Sequence, residues 1–240
     1  MQFLSEKEIS KDVEFFLDED ETFHLKNVLR ISKGQIVKVF DGLKKWECEV
    51  IGFNNKNAIL KPLKEIIENK KPYINLYFPF IEKKFFEEII RKGSEIGIRC
   101  FYPIITDFTQ KNFIFDINLK RDRFNEIIKS SVKQSESSFV PYLNDPITIY
   151  DLSFDLKKFI LMTPHPIDGN LYTISDIFNF VKILNEINVI VGPEGGFSQK
   201  EIDLFSKFKD NIIPLKISYN ILRVETAAVS GCLSILALKV

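Results

Sequence analysis

The chain has 240 residues with 33 basic and 33 acidic side chains, so no global basic field advertises a nucleic-acid partner, although a local patch would suffice. Three widely spaced cysteines (Cys48, Cys100, Cys232) and two histidines (His24, His165) exclude a disulfide framework and a metal cluster, which fits a reducing cytosol. Met1–Lys7 has no apolar signal core and the longest apolar run, Ala227 to Leu238, is too short for a bilayer, so a soluble cytoplasmic protein of one large domain or two is expected, with 23 Phe to fill its core.

Residues 1–19 are polar with scattered aromatics and read as an edge segment. From Glu21 the chain reads as short strands: Thr22 to Arg30, then Gln35 to Phe40 after a turn at Ser32-Lys33-Gly34. Asp41-Gly42 is a hairpin signal, Trp46 to Ile51 alternates, Asn54 to Asn57 turns, and Ala58 to Leu63 closes the set. Closely spaced hairpins of this kind predict a small β-barrel. Glu65 to Pro72 is charged and ends in proline, as a linker does, which divides the chain into 1–72 and 73–240.

After the linker the rhythm changes. Ile74 to Phe78 predicts a strand and Glu82 to Ile96 a helix stopped by Gly97. Cys100 to Ile105 is a second strand, Lys120 to Ser138 a lightly basic helix, Phe159 to Thr163 a third strand and Ser175 to Leu184 a helix. Asn188 to Val191 is short, apolar and β-branched, and Gly192-Pro193-Glu194-Gly195-Gly196-Phe197 then forbids regular structure. Ser198 and Glu201 stand three apart, a capping-box spacing, before a helix with Ile202, Leu204, Phe205 and Phe208. Ile212 to Ile217 predicts a strand, Ser218 to Asn220 a turn, and Leu222 to Leu238 a mostly apolar helix entered by Arg223 and Glu225. Strands alternating with helices imply an α/β domain with a mainly parallel sheet. The glycine loop would expose main-chain N–H and C=O groups at the carboxyl end of a strand, where such sheets bind ligands. It matches neither a dinucleotide fingerprint nor a P-loop.

Gly192-Pro193-Glu194-Gly195-Gly196-Phe197-Ser198 with Glu201, and Ile221-Leu222-Arg223-Val224-Glu225-Thr226-Ala227, together resemble the ribosomal RNA small subunit methyltransferase E family, of the SPOUT class of knotted methyltransferases. His24-Leu25 with Val28-Leu29-Arg30, then Lys33-Gly34 and Asp41-Gly42, is similar to the family's N-terminal segment. Lys92 to Ile98 and the Gln134-Ser135…Pro141 spacing extend the resemblance over nearly the whole chain. The resemblance implies a PUA-like N-terminal β-barrel that helps hold RNA, a C-terminal α/β domain tied in a trefoil knot, and a homodimer. It implies S-adenosylmethionine as cofactor and methyl transfer to N3 of a uridine in small-subunit (16S) ribosomal RNA. Cofactor contacts are implied at Leu161, Met162 and Thr163, at Gly192, Pro193, Gly195 and Gly196, and at Ile217, Ser218, Ile221 and Leu222.

The residue types suit that reaction. A sulfonium donor is already reactive, so positioning dominates. Adenine needs main-chain polar groups beside an apolar slot, which such loops supply. Uracil N3 must lose its proton and charge develops on the flanking oxygens; Arg223 is the candidate to stabilise it and Glu194 the candidate to accept the proton or orient the base. The structural alternatives are a loop cap for Glu194, an ion pair for Arg223, and an N-terminal helix carboxylate for Glu225. Arg30, Lys33, Arg121, Arg123 and Lys133 are the candidate RNA contacts.

The chain departs from the family pattern in places. Ser218 replaces a glycine, and Phe108, Ser137 and Phe139 stand where arginines are usual, each lost arginine removing a phosphate contact. Those departures keep open a methyltransferase with another RNA target and a non-catalytic RNA-binding protein. A phosphate-cradling nucleotide binder is opposed by Glu194 inside the loop.

Overall fold

The computed structural model describes residues 2–67 and 73–239, which fall into two compact units, one of residues up to Lys70 with Val132–Val140, the other of Lys71–Ser131 with Pro141 onward. The predicted linker lies mostly outside the described residues, and Glu65 and Ile66 at its start are still strand.

The first unit is a five-stranded sheet of β1 (Gln2–Leu4), β2 (Phe15–Phe16), β3 (Ile36–Phe40), β4 (Lys45–Phe53) and β5 (Ala58–Ile66), in the order β1-β3-β4-β5-β2. The two strands of the N-terminal segment lie at its two edges, as expected. Only β1 and β3 run parallel. Register shifts at Glu47/Cys48 and Val50/Gly52 interrupt the long β4–β5 pair, and such bulges curl the sheet into a half-barrel. Its core holds Phe3, Leu17, Leu25, Val39, Trp46, Cys48 and Leu60. The stretch Thr22 to Arg30, read as a strand, is instead helical: α1 (Glu19–Phe23) runs into a wider turn over His24–Val28. Asp18 caps α1 by accepting from the Glu21 N–H at 2.7 Å, and three acidic residues in the first turn suit the helix dipole. Burial recurs at Glu21, Thr22 and Leu25, a helical spacing.

The second unit is a parallel sheet of seven strands. The strands are β6 (Tyr73–Pro79), β7 (Ile98–Ile105), β8 (Tyr142–Leu143), β9 (Ile147–Thr148), β10 (Phe159–Met162), β11 (Glu186–Val191) and β12 (Ile212–Leu215). The order is β12-β10-β11-β6-β7-β8, with β9 also on β7. β11 therefore enters between β6 and the earlier β10, and β12 adds outside β10. Ile74 to Phe78 and Ile187 to Val191 are buried at every position, as strands covered on both faces must be. α2 (Lys83–Ile96) ends at Gly97 in the left-handed region (φ 96°). α3 (Arg121–Ser135) stops before Glu136, which has φ 52°. α4 is shorter than expected, Phe178–Ile183, because Asp176 accepts from both the N–H and the hydroxyl of Thr173 and holds the preceding residues in a turn. α5 (Gln199–Lys207) carries the expected capping box of Ser198 and Glu201. α6 (Val224–Ala237) packs on α2, β6 and β11.

Candidate active site

The carboxyl ends of β10, β11 and β12 lie side by side in register, with Met162 opposite both Val191 and Leu215. The three segments that leave those ends, Thr163–Ile167, Gly192–Phe197 and Lys216–Leu222, enclose a cleft of about 340 Å³. Its size falls in the ordinary range for small-molecule and cofactor sites. Ile202 of α5 and Val224 and Ala227 of α6 complete the wall.

Each segment is held locally. The Thr163 N–H donates to the Leu215 carbonyl at 3.0 Å, and its hydroxyl both accepts from the His165 N–H and donates to the His165 carbonyl at 3.1 Å. The Gly196 N–H closes the glycine loop on the Pro193 carbonyl at 2.8 Å, with Gly196 at φ 74°, a conformation that favours glycine. A Cβ at Gly192 would stand 2.7 Å from the Phe197 ring, which packs edge-on against Phe205. On the third side the Asn220 N–H donates to the Ser218 hydroxyl at 3.1 Å. Gly231 of α6 lies so close to the end of β10 that a Cβ there would meet the Met162 methyl at 2.6 Å.

A buried carboxylate ties this loop to the turn after β7. Glu201 is fully buried, and its Oε2 accepts from the Ser198 N–H at 2.7 Å while Oε1 accepts from the Asp107 N–H at 3.0 Å. Asp107 in turn accepts from the Ser198 hydroxyl at 2.5 Å and the Tyr150 hydroxyl at 2.8 Å. Those two donors hold the Asp107 carboxyl below its ordinary value. Nothing in the local sequence around Asp107 or Tyr150 signals this cluster; only the Ser198–Glu201 spacing was legible.

Met162, Thr163, Gly192, Pro193, Gly195, Gly196, Ile217, Ser218, Ile221 and Leu222 line the cleft, as does Glu194, which is exposed. Leu161 does not: it is fully buried among Tyr77, Phe159 and Ile190. Arg223 stands outside the lining, exposed, at the N-cap of α6, with its guanidinium 5.9 Å from the centre of the Phe85 ring. Val224 and Ala227, which sequence reasoning did not place here, follow from the helical spacing of the same motif. Of the basic candidates, Arg30 and Lys33 are exposed in the first unit. Arg121 is bonded to Asn118, the Leu143 carbonyl and Asp145, Arg123 to Glu87, and Lys133 to Glu21.

The model of the RNA methyltransferase domain matches residues 68–236, and that of the RNA methyltransferase PUA domain matches residues 17–63. The chain belongs to the RNA methyltransferase domain family. The RNA methyltransferase fold is thus the α/β unit that carries the cleft, and the curled sheet is its PUA domain, as the resemblance drawn from the two motifs implied. Among relatives, a Ribosomal RNA small subunit methyltransferase E of Rickettsia conorii is 29% identical over 87% of this chain and 83% of its own length. A methyltransferase structure from Legionella pneumophila, solved with bound S-adenosylmethionine, is 25% identical, covers 98% of this chain and 96% of its own, and has a TM-score of 0.76. A Ribosomal RNA small subunit methyltransferase E from Neisseria gonorrhoeae, also with S-adenosyl methionine, shares the fold at a TM-score of 0.79 with 22% identity, over 99% of this chain and 97% of its own. Among the described residues no helix is long and apolar enough to cross a membrane.

Proposed function

We propose that this RNA methyltransferase uses S-adenosylmethionine to methylate N3 of a uridine in small-subunit (16S) ribosomal RNA, as a cytoplasmic homodimer. The observation that carries the reading is the cleft at the ends of β10, β11 and β12, walled by the glycine loop and the Lys216–Leu222 segment. The donor set fits the cofactor. Met162, Ile217, Ile221 and Leu222 offer an apolar slot for a flat base, and Gly192–Gly196 brings main-chain polar groups to its edge. The close approach of Gly231 to Met162 sets the back wall. When bound there, S-adenosylmethionine supplies a methyl group already activated on a sulfonium.

The chain's own task is to bind, orient and balance charge. Methyl transfer to N3 would form an N–C bond as the donor's S–C bond breaks to leave a neutral thioether, and N3 must give up its proton. Glu194, exposed at the cleft, is assigned to accept that proton or orient the base, and Arg223 to stabilise the charge on the flanking oxygens. In this reading residues 1–72 form an RNA-binding domain, with Arg30 and Lys33 as contacts, and 73–240 the catalytic domain. The entry of β11 between β6 and β10 supports a trefoil knot in that domain. A homodimer is supported by α6, a mostly apolar helix that leaves Leu233 51% exposed.

A second reading, methylation of another RNA, is favoured by Arg121, Arg123 and Lys133 being engaged with protein acceptors. Mass-spectrometric mapping of modified nucleosides in small-subunit RNA from cells with and without the gene separates the two. Loss of one 3-methyluridine is the expected result; an unchanged profile would refute the small-subunit target.

A further inference from the structure

The turn that follows β7 is locked from both sides. The Thr106 N–H donates to the Thr109 hydroxyl at 2.9 Å, the two hydroxyls are 2.8 Å apart, and the Thr109 N–H returns to the Thr106 carbonyl at 3.1 Å. Both threonines are buried. Asp107 is fastened to Glu201, Ser198 and Tyr150. Between these anchors Phe108 is 51% exposed. Its Cβ, Cγ and Cδ2 lie 3.4–3.7 Å from where a Cβ on Gly195 would stand. Gly195 is itself exposed and lines the cleft.

A single exposed phenylalanine is ordinary. This one is set apart because Asp107 and Thr109 on either side of it are held by side-chain bonds and its ring stands beside Gly195, which lines the cleft. A base that reacts at a ring nitrogen has to leave its own stack, and the lost stacking must be replaced. An aromatic face does this without using the hydrogen-bonding edge, so N3 stays free to face the donor. Because residue 195 is a glycine, no side chain from it covers that part of the Phe108 ring. Lys111 and Lys200, both exposed, flank the turn in sequence and across the loop, where phosphates of the same strand would pass.

We propose that Phe108 is the stacking platform for the unpaired pyrimidine base that receives the methyl group. The proposal rests on the reading of the cleft as the methyl-donor site. The test uses full-length protein, small ribosomal subunits and naked small-subunit RNA from cells lacking the gene, S-adenosylmethionine, and RNA transcribed with 5-iodouridine for photo-cross-linking. Phe108→Ala should lower kcat/KM for RNA by about 5- to 150-fold, the loss of one base stack. Phe108→Tyr and Phe108→Trp should keep most of the rate, and Phe108→Leu should behave like the alanine variant. Calorimetric affinity for S-adenosylmethionine should be the same in all. The cross-link should map to Phe108. Wild-type rates in Phe108→Ala, equal rates in the Leu and Tyr variants, or cross-links only elsewhere would overturn the platform. Wild-type protein that neither binds S-adenosylmethionine nor methylates RNA would instead overturn the reading of the cleft, and the cross-link position would then decide the platform alone.

Discussion

The main-chain N–H of Asp107 donates to Oε1 of Glu201 at 3.0 Å, so the turn after β7 and the helix after the glycine loop share one buried carboxylate. Glu201 satisfies the Ser198 N–H with its other oxygen. A residue that looks like a helix cap in sequence thus also fixes the entrance to the cleft.

Replacing Glu201 by Ala leaves both donors without their acceptor. The expected cost is about 2–4 kcal/mol of stability. Glu201→Gln, which keeps one acceptor oxygen, should lose less. Chemical denaturation measures both, and a Glu201→Ala variant as stable as wild type would show that the shared carboxylate is not a structural tie.

Gly231 tests the back wall of the cleft. Alanine at an interior helix position gains up to about 1 kcal/mol in helix propensity over glycine. Its Cβ would nevertheless stand 2.6 Å from Cε and 3.0 Å from Sδ of Met162. Met162 ends in a flexible methyl, so the fold should survive and the methionine should swing into the cleft. Gly231→Ala should melt within a few degrees of wild type, with affinity for S-adenosylmethionine about 10-fold weaker or worse, equivalent to about 1.4 kcal/mol. Adding Met162→Ala should recover part of that loss; calorimetry on the single and double variants decides it.

Arg223 lies outside the cleft lining, exposed at the start of α6. If its work is on the developing charge of the base, Arg223→Ala should lower kcat by about 10²- to 10³-fold, as the loss of one such donor does elsewhere. Affinity for S-adenosylmethionine should not change. Near wild-type methylation with the fold intact would remove Arg223 from the chemistry. A lysine at this position should restore little, because an ammonium does not reproduce the planar fork of a guanidinium.

The first unit has its own pH signature. Lys38 beside Glu136 holds that carboxyl down to about 2 from the ordinary 4.5. A depressed folded-state value stabilises the fold above the unfolded value, and that contribution disappears as pH falls from about 4.5 toward about 2. Both side chains are partly in water, at 45% and 31% exposure, so the effect should stay below about 1 kcal/mol. The stability gap between wild type and Glu136→Gln should be present at neutral pH and close across that acid window. A gap that does not change with pH would mean that the pair contributes nothing.

Local signals were strong wherever main-chain geometry and burial agree. Gly97 and Gly196 occupy left-handed positions, Ser198 and Glu201 form their box, and the uninterrupted apolar runs of β6 and β11 are buried on both faces. The structure departs from the local pattern where short-range side-chain bonds or tertiary burial compete with it. Thr22 to Arg30 reads as a strand, yet the Asp18 cap and the burial of Leu25 go with a helix. Ser175 to Ile177 are expected to open the helix, but the Asp176 carboxylate accepts from Thr173 and holds them in a turn.

The sequence alone determined that this chain has a hairpin-rich first part, an α/β second part, and two loops built from glycines and apolar residues, because those properties depend on neighbours in the chain. Only the tertiary structure decided that Met162, Val191 and Leu215 end side by side, so that three loops become one cleft. It also decided that Leu161 turns into the core while Met162 faces the cleft, since adjacent residues of a strand point to opposite faces and only strand order says which face is open. The same holds for Asp107, Phe108 and Tyr150. Asp107 is 91 residues from Ser198 and 94 from Glu201, and Tyr150 is 43 from Asp107; contacts of that range are set by the sheet order, not by any local pattern.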